Sequence, residues 1–260
     1  MFRLTRRPLF PPAVSLALLG ALLLVFLLAP WPPLLKMRAI GFGLDPQRPA
    51  HSFFLDGEMM PIEARKVGIY GGFALAALWL AWRAPRAAQL ARLDGYVAAL
   101  LGIAVMGLDG TNALLYDLGA PHLYAPRLDL RLGTGLLCGL AMAALLWPIW
   151  GQTAWRKPQG VVNGLHFAGP LLLSALLLVG LTTGQGWLML PVSLLGTFGL
   201  VAVVALMNGV GLLVLLRRDA AADRAVDGLD VVTLSAWLAV LELLALAAVR
   251  YLLIGTTPLP

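Results

Sequence analysis

The chain has 260 residues, of which 60% are hydrophobic and 12% charged, with a mean hydropathy of +0.85. Soluble domains carry about 25% charged residues, so this composition excludes a soluble enzyme on a greasy anchor. The formal charge of +6 and a pI near 10 would suggest nucleic acid in a soluble chain, but in a membrane protein they report basic cytoplasmic loops, and no nucleic-acid partner is expected.

The N-terminus carries Arg3, Arg6 and Arg7 ahead of an apolar stretch from Ala13 to Ala29. This has the outline of a signal peptide, but the run is nearer spanning length and is bracketed by Pro11, Pro12, Pro30, Pro32 and Pro33. With no evident small-x-small cleavage site, it predicts a retained anchor. From there about seven spans can be drawn, at roughly 12–34, 64–83, 95–116, 131–150, 163–184, 187–216 and 231–254. The runs are continuously apolar and lack the alternation of a barrel strand, so the expected fold is an all-α polytopic transmembrane bundle. We divide it into a four-helix region, 1–158, with long loops, and an additional three-helix region, 159–260, where ionisable residues become sparse within the spans.

Alternating the spans places Arg3, Arg6, Arg7, Arg83, Arg86, Arg92, Arg156, Lys157, Arg217, Arg218 and Arg224 on one side. The other side has Lys36, Arg38, Arg48, Arg65, Lys66, Arg127 and Arg131, interspersed with Asp45, Asp56, Glu58, Glu63, Asp117 and Asp129. The more basic side is read as cytoplasmic, giving N-inside and C-outside. Two exoplasmic loops, Leu35 to Glu63 and Asp117 to Leu130, are long enough to form a polar cap, whereas Gly184 to Gly186 is a tight turn. Only Lys36, Lys66 and Lys157 are lysines, and the wealth of Arg, Ala, Leu and Gly is that of a GC-rich bacterial genome. The expected location is therefore a bacterial cytoplasmic (inner) membrane.

The polar residues of the first half are the candidates for chemistry. Span two begins with Arg65 and Lys66, placed either at the lipid headgroups or in a pocket. Asp109 falls in the outer third of span three, where a carboxylate must face a partner or water, and Arg65 and Arg131 are the cations within reach. Asp109, Gly110, Thr111 and Asn112 together could interrupt the helix. Glu242 lies near the middle of span seven, either as a proton relay or ligand contact or as a carboxyl hydrogen-bonded to a neighbouring helix or a partner subunit. Asn163, His166 and Asn208 are expected to hydrogen-bond between helices, Pro170 to mark a kink, and Trp147, Trp150, Trp155 and Trp187 to line the interfaces. Gly102 to Gly110 and Gly133 to Gly139 supply small residues for close helix packing. Cys138 is the single cysteine, so no disulfide, Cys-ligated metal or iron-sulfur cluster is expected within one chain. There is no phosphate-cradling Gly-rich loop, His-Glu-x-x-His or Gly-x-Ser-x-Gly signature.

Gln47, Pro49, Ser52, Phe53 and Phe54, then Pro61, Ala64, Arg65, Gly68, Ile69 and Tyr70, then Asp109 and Gly110, and finally Arg131, Gly135 and Gly139 follow one another in an ordered pattern. Over about the first 150 residues, this pattern resembles a bacterial membrane-protein family known as domain of unknown function 2085. The resemblance implies Cys-His where this chain has Asp45 and Pro46, and further Cys where it has Glu63 and Lys66. A soft-metal or thiol-redox site does not survive those changes. Asp45, His51, Glu58 and Glu63 could still hold a hard cation. Otherwise Arg48, Ser52, Glu63, Arg65, Tyr70, Asp109 and Arg131 form a structural or ligand pocket that staples the loops to the bundle.

Three functions remain open from the sequence. The first is a non-catalytic accessory or assembly subunit of a larger membrane complex, with membrane lipid and other subunits, or further copies of the chain, as partners. The second is a small transporter or permease using Glu242 and an outer gate of Asp109 and Arg131. The third is an exoplasmic metal-dependent enzyme.

Overall fold

The computed structural model describes residues 8–90 and 93–255. Arg3, Arg6, Arg7 and Arg92, used above to orient the chain, lie outside the described residues. Among the described residues there are eight α-helices: α1 (Pro12–Leu28), α2 (Pro33–Gly41), α3 (Ala64–Arg83), α4 (Leu93–Asp117), α5 (Leu128–Ala154), α6 (Leu165–Thr182), α7 (Met189–Leu215) and α8 (Leu229–Ile254). Two short antiparallel strands, β1 (Phe54–Leu55) and β2 (Glu58–Met59), lie between α2 and α3. Five helices, α4 to α8, are long and apolar enough to cross a membrane. The chain is an all-α polytopic membrane bundle.

The first expected span, 12–34, is two helices. α1 stops at Leu28 because Pro30, Pro32 and Pro33 cannot continue its hydrogen-bond ladder. α2 then turns away by 117°, and the two pass as a sixth span only when counted as one bent element. Lys36 on α2 donates to the Phe26 and Leu27 carbonyls at 2.8 and 2.9 Å, satisfying groups that the end of α1 leaves open. The expected loop 35–63 is therefore structured. After α2 it makes a 3-10 turn at Pro49–His51 and a hairpin turning on Asp56 and Gly57, both at positive φ.

The second expected span, α3, is not among the candidate crossings. Its first three turns lie in the interior, packed by α5, α7 and α6, so its polar first turn and glycines are kept from lipid, whereas Leu78 and Trp82 nearer its other end are exposed. Gly68 and Gly72 of α3 lie against the α5 backbone at Leu132 to Leu136, and Gly135 and Gly139 of α5 lie against the α3 backbone at Arg65 to Phe73. Side chains there would separate the two helices, which meet backbone to backbone. Gly199 of α7 rests similarly on the Tyr70 carbonyl.

α4 runs unbroken through Asp109 to Asn112, contrary to the expected interruption. Thr111 returns its hydroxyl to the Gly107 carbonyl at 2.9 Å, inside the helix, and Asn112 sends its amide to a loop. At one end of the bundle the apolar underside of the 42–63 segment, including Phe53, Leu55, Met60 and Ile62, is buried on Val67, Leu132, Leu136 and Val192. This is the cap end. At the other end, loops bearing Arg86, Arg156 and Arg218 are stitched by backbone bonds such as Val162 to Gln89 and Arg156 to Ala222. A buried Arg218–Asp230 ion pair adds to them. Trp147 and Trp155 donate to the Ala84 and Pro85 carbonyls at this end, each at 3.0 Å, as an interfacial aromatic belt would.

Candidate functional site

Beneath the cap, Asp109 is 2% exposed, about 12 Å along α4 from its cap end. A lone carboxylate deep in a membrane costs on the order of 3 kcal/mol. Here it accepts from Arg65 Nη2 at 2.5 Å, from the Tyr124 hydroxyl at 2.8 Å and from the Thr134 hydroxyl at 3.2 Å. Of the two cations in reach, Arg65 makes the pair. The same guanidinium donates to the Asp109 carbonyl at 3.2 Å. One turn further on, Asn112 accepts from the Leu123 and Tyr124 amides and donates to the Tyr124 carbonyl. α4 thereby holds the second loop by both side chains.

Above this lies a second cluster. Glu63, at the start of α3, accepts from the Arg48 amide at 3.0 Å and from Arg48 Nε at 3.2 Å. Arg48 Nη1 reaches on to Asp117 at 3.2 Å. His51 is buried between these carboxylates, with Nδ1 3.7 Å from Glu63 and Nε2 3.6 Å from Asp117. Arg131 Nη2 donates toward His51 Nε2 at 3.4 Å. Burial, then the charges of Arg131 and Arg48, hold the His51 imidazole below its ordinary 6.5, so it is neutral at pH 7. Ser52 closes its own turn by donating to the Arg48 carbonyl at 3.0 Å.

Asp45 is 1% exposed. It accepts from the Glu63 amide at 2.7 Å and the Gln47 amide at 3.0 Å, with Lys66 Nζ 3.5 Å away. Burial raises its carboxyl above the usual range, offset in part by Lys66. Lys66 also donates to the Leu44 carbonyl. Neither Arg65 nor Lys66 is a simple headgroup snorkel, since both are anchored to protein carboxylates. Tyr70 is half-buried one turn below Lys66, its ring packed against the core around Phe73 and Leu140.

The four hard-cation candidates, Asp45, His51, Glu58 and Glu63, are not brought together as one group. Glu58 is exposed on β2, and Asp45 is spent on amides and Lys66. Glu63 and Asp117 address opposite nitrogens of His51. Among the described residues no three His, Cys, Asp or Glu side chains form a group that could hold a metal ion.

Sequence reasoning missed Arg250, Tyr124 and Thr134. Arg250, near the end of α8, donates to the Phe42, Asp45 and Pro46 carbonyls and stacks on the Phe42 ring at 4.2 Å. It clamps the first loop from more than 200 positions away. An arginine inside the last apolar run was the available signal. Asn163 and His166 bond to one another at 2.7 Å on the surface, not between helices. Glu242 is on the outer face of α8, where it accepts from Asn208 Nδ2 of α7 at 2.9 Å.

The fold and the site define a polytopic helical membrane protein whose loops are tied into an ion-paired polar cap. Residues 46–145 match the family model described as "Predicted membrane protein (DUF2085)", so over this segment the chain is similar to that family. The segment takes in the cap from Pro46 onward, α3, α4 and most of α5. Asp45 and the helices α1, α2, α6, α7 and α8 lie outside it. No curated protein and no solved structure matches the chain.

Proposed function

We propose that this protein is a non-catalytic accessory or assembly subunit of a larger complex in a bacterial cytoplasmic membrane, with its cap on the exoplasmic side. The observation that carries this reading is that the cap's buried carboxylates, Asp45, Glu63 and Asp109, are each held by donors within the protein. Asp109 takes donors from α3, α5 and the second loop, and Glu63 takes two from Arg48. Asp45 takes two amides and faces Lys66. These bonds fix the positions of the two loops on the bundle. The positions at which the family resemblance implies cysteines, 45, 63 and 66, meet in space and hold an ion-paired network in this chain. The arginine-rich loops at the opposite end support the orientation.

The transport reading gains little from the geometry, because Glu242 faces outward and Asp109 pairs with Arg65 rather than gating with Arg131. Purification of the tagged protein from native membranes in mild detergent is the test. Stoichiometric recovery of a second membrane protein is expected, and recovery of the chain without a partner overturns the reading.

A further inference from the structure

Glu242 and Asn208 pose a problem that the cap does not solve. They sit near the middle of α8 and toward the inner half of α7, hydrogen-bonded to each other across the helix seam, with Glu242 exposed on the outside of the bundle. Met207, next to Asn208, and Leu241, next to Glu242, are exposed apolar side chains. Hydrocarbon offers no hydrogen-bond partner, so a polar pair at this depth is completed by protein.

We infer that this face of α7 and α8 is a self-association surface, and that its occupant is the same face of a second copy of this chain. The proposal rests on the accessory-subunit reading for its context and adds the surface and the partner. The chemistry argues for a second copy. With one N–H of Asn208 Nδ2 donating to Glu242 Oε2, the pair still carries a donor, the second N–H of that amide, and an acceptor, the other Glu242 oxygen. Two such pairs related by a two-fold axis satisfy each other: the second Asn208 N–H of each copy donates to the free Glu242 oxygen of the other. An isologous contact requires this self-complementarity.

The backbone supplies a second observation. Gly196, Gly199 and Gly209 of α7 are each occupied, packing against Val67, Tyr70 and Trp150. Gly211, three residues beyond Asn208 and on the same side of the helix, has nothing near it. A glycine open on the outward face lets another helix backbone come close to the polar pair.

Cross-linking of full-length protein in its own membranes tests this. Ala245, exposed one turn from Glu242, is replaced as Ala245→Cys; the native Cys138 is buried. Oxidation is expected to give a covalent adduct of twice the chain's mass. Adding Glu242→Leu or Asn208→Leu should weaken self-association about tenfold, the scale of a few interhelical hydrogen bonds in membranes. Glu242→Gln, which keeps a donor and an acceptor, should retain it. Adducts only with another protein, no adduct, or equal dimer yield from Glu242→Leu each overturn the inference. The accessory-subunit reading stands or falls separately, on whether the unsubstituted chain copurifies with a different membrane protein.

Discussion

Replacing Asp109 with alanine removes the acceptor on which α3, α5 and the second loop converge. The Asp109 side chain is 3% exposed and that of Arg65 19%. Stranding one member of a buried ion pair costs about 3–5 kcal/mol, and the partial exposure of Arg65 puts this one near the lower end. The Tyr124 hydroxyl loses its bond as well, for about 1 kcal/mol. Thr134 retains the Leu130 carbonyl at 2.8 Å and adds little. Asp109→Ala should therefore destabilise by about 4 kcal/mol. Asp109→Asn keeps neutral acceptor capacity and should cost about half as much, roughly 2 kcal/mol. The double substitution Asp109→Leu with Arg65→Leu removes both charges together and should recover most of the loss, because an apolar pair needs no compensation in the bundle. Denaturant unfolding in detergent, followed by tryptophan fluorescence, gives all three values. A cost below about 1 kcal/mol for Asp109→Ala, or a double variant as unstable as the sum of its single variants, would refute the reasoning.

Gly139→Ala would drive a methyl into the Ile69 carbonyl and the Phe73 amide, forcing α3 and α5 apart; the expected loss is about 1–3 kcal/mol, read from thermal unfolding, and an unchanged midpoint would contradict the backbone contact. His51 is held below 6.5 in the folded chain, so the unfolded state binds more protons just below that pH. Its contribution to stability is present above about 6.5 and is lost as pH falls toward the depressed folded value. A stability profile between pH 5 and 8 should slope downward on acidification, less so for His51→Gln, and equal slopes would count against the assignment. Arg250→Met keeps the stem but removes the three carbonyl contacts of the clamp, and should cost about 2 kcal/mol while accelerating protease cleavage within 42–63. Unaltered cleavage there would mean that the loop is held by its apolar underside alone.

Parts of this architecture are legible without coordinates. Long apolar runs in a chain of this composition can satisfy their backbone only as helices, so the bundle and most of its boundaries follow directly. Asp109 had to face a partner because of its depth, and the loops between the first helices hold too many paired charges to be plain connectors. The break at Pro30 to Pro33 was in view as a cluster of prolines, but whether such a cluster ends a span or merely brackets it depends on where the following helix packs. Glu242 was conspicuous by depth, yet its direction was not readable, because α8 is apolar nearly all round and no stripe marks its buried side.

The amino-acid order alone determined the class of the protein, the candidate charges and the glycines available for close packing, since these depend on local composition and on hydrocarbon as the solvent. Only the tertiary structure decided that Arg65 rather than Arg131 answers Asp109, that Arg250 reaches back to the first loop, that the first turns of α3 are enclosed, and that Glu242 looks outward with Asn208. Those are choices among several feasible pairings of residues far apart in sequence. They are settled by which helix backbones can approach closely, and the close approach of α3 and α5 at their glycines fixes where the neighbouring side chains can meet.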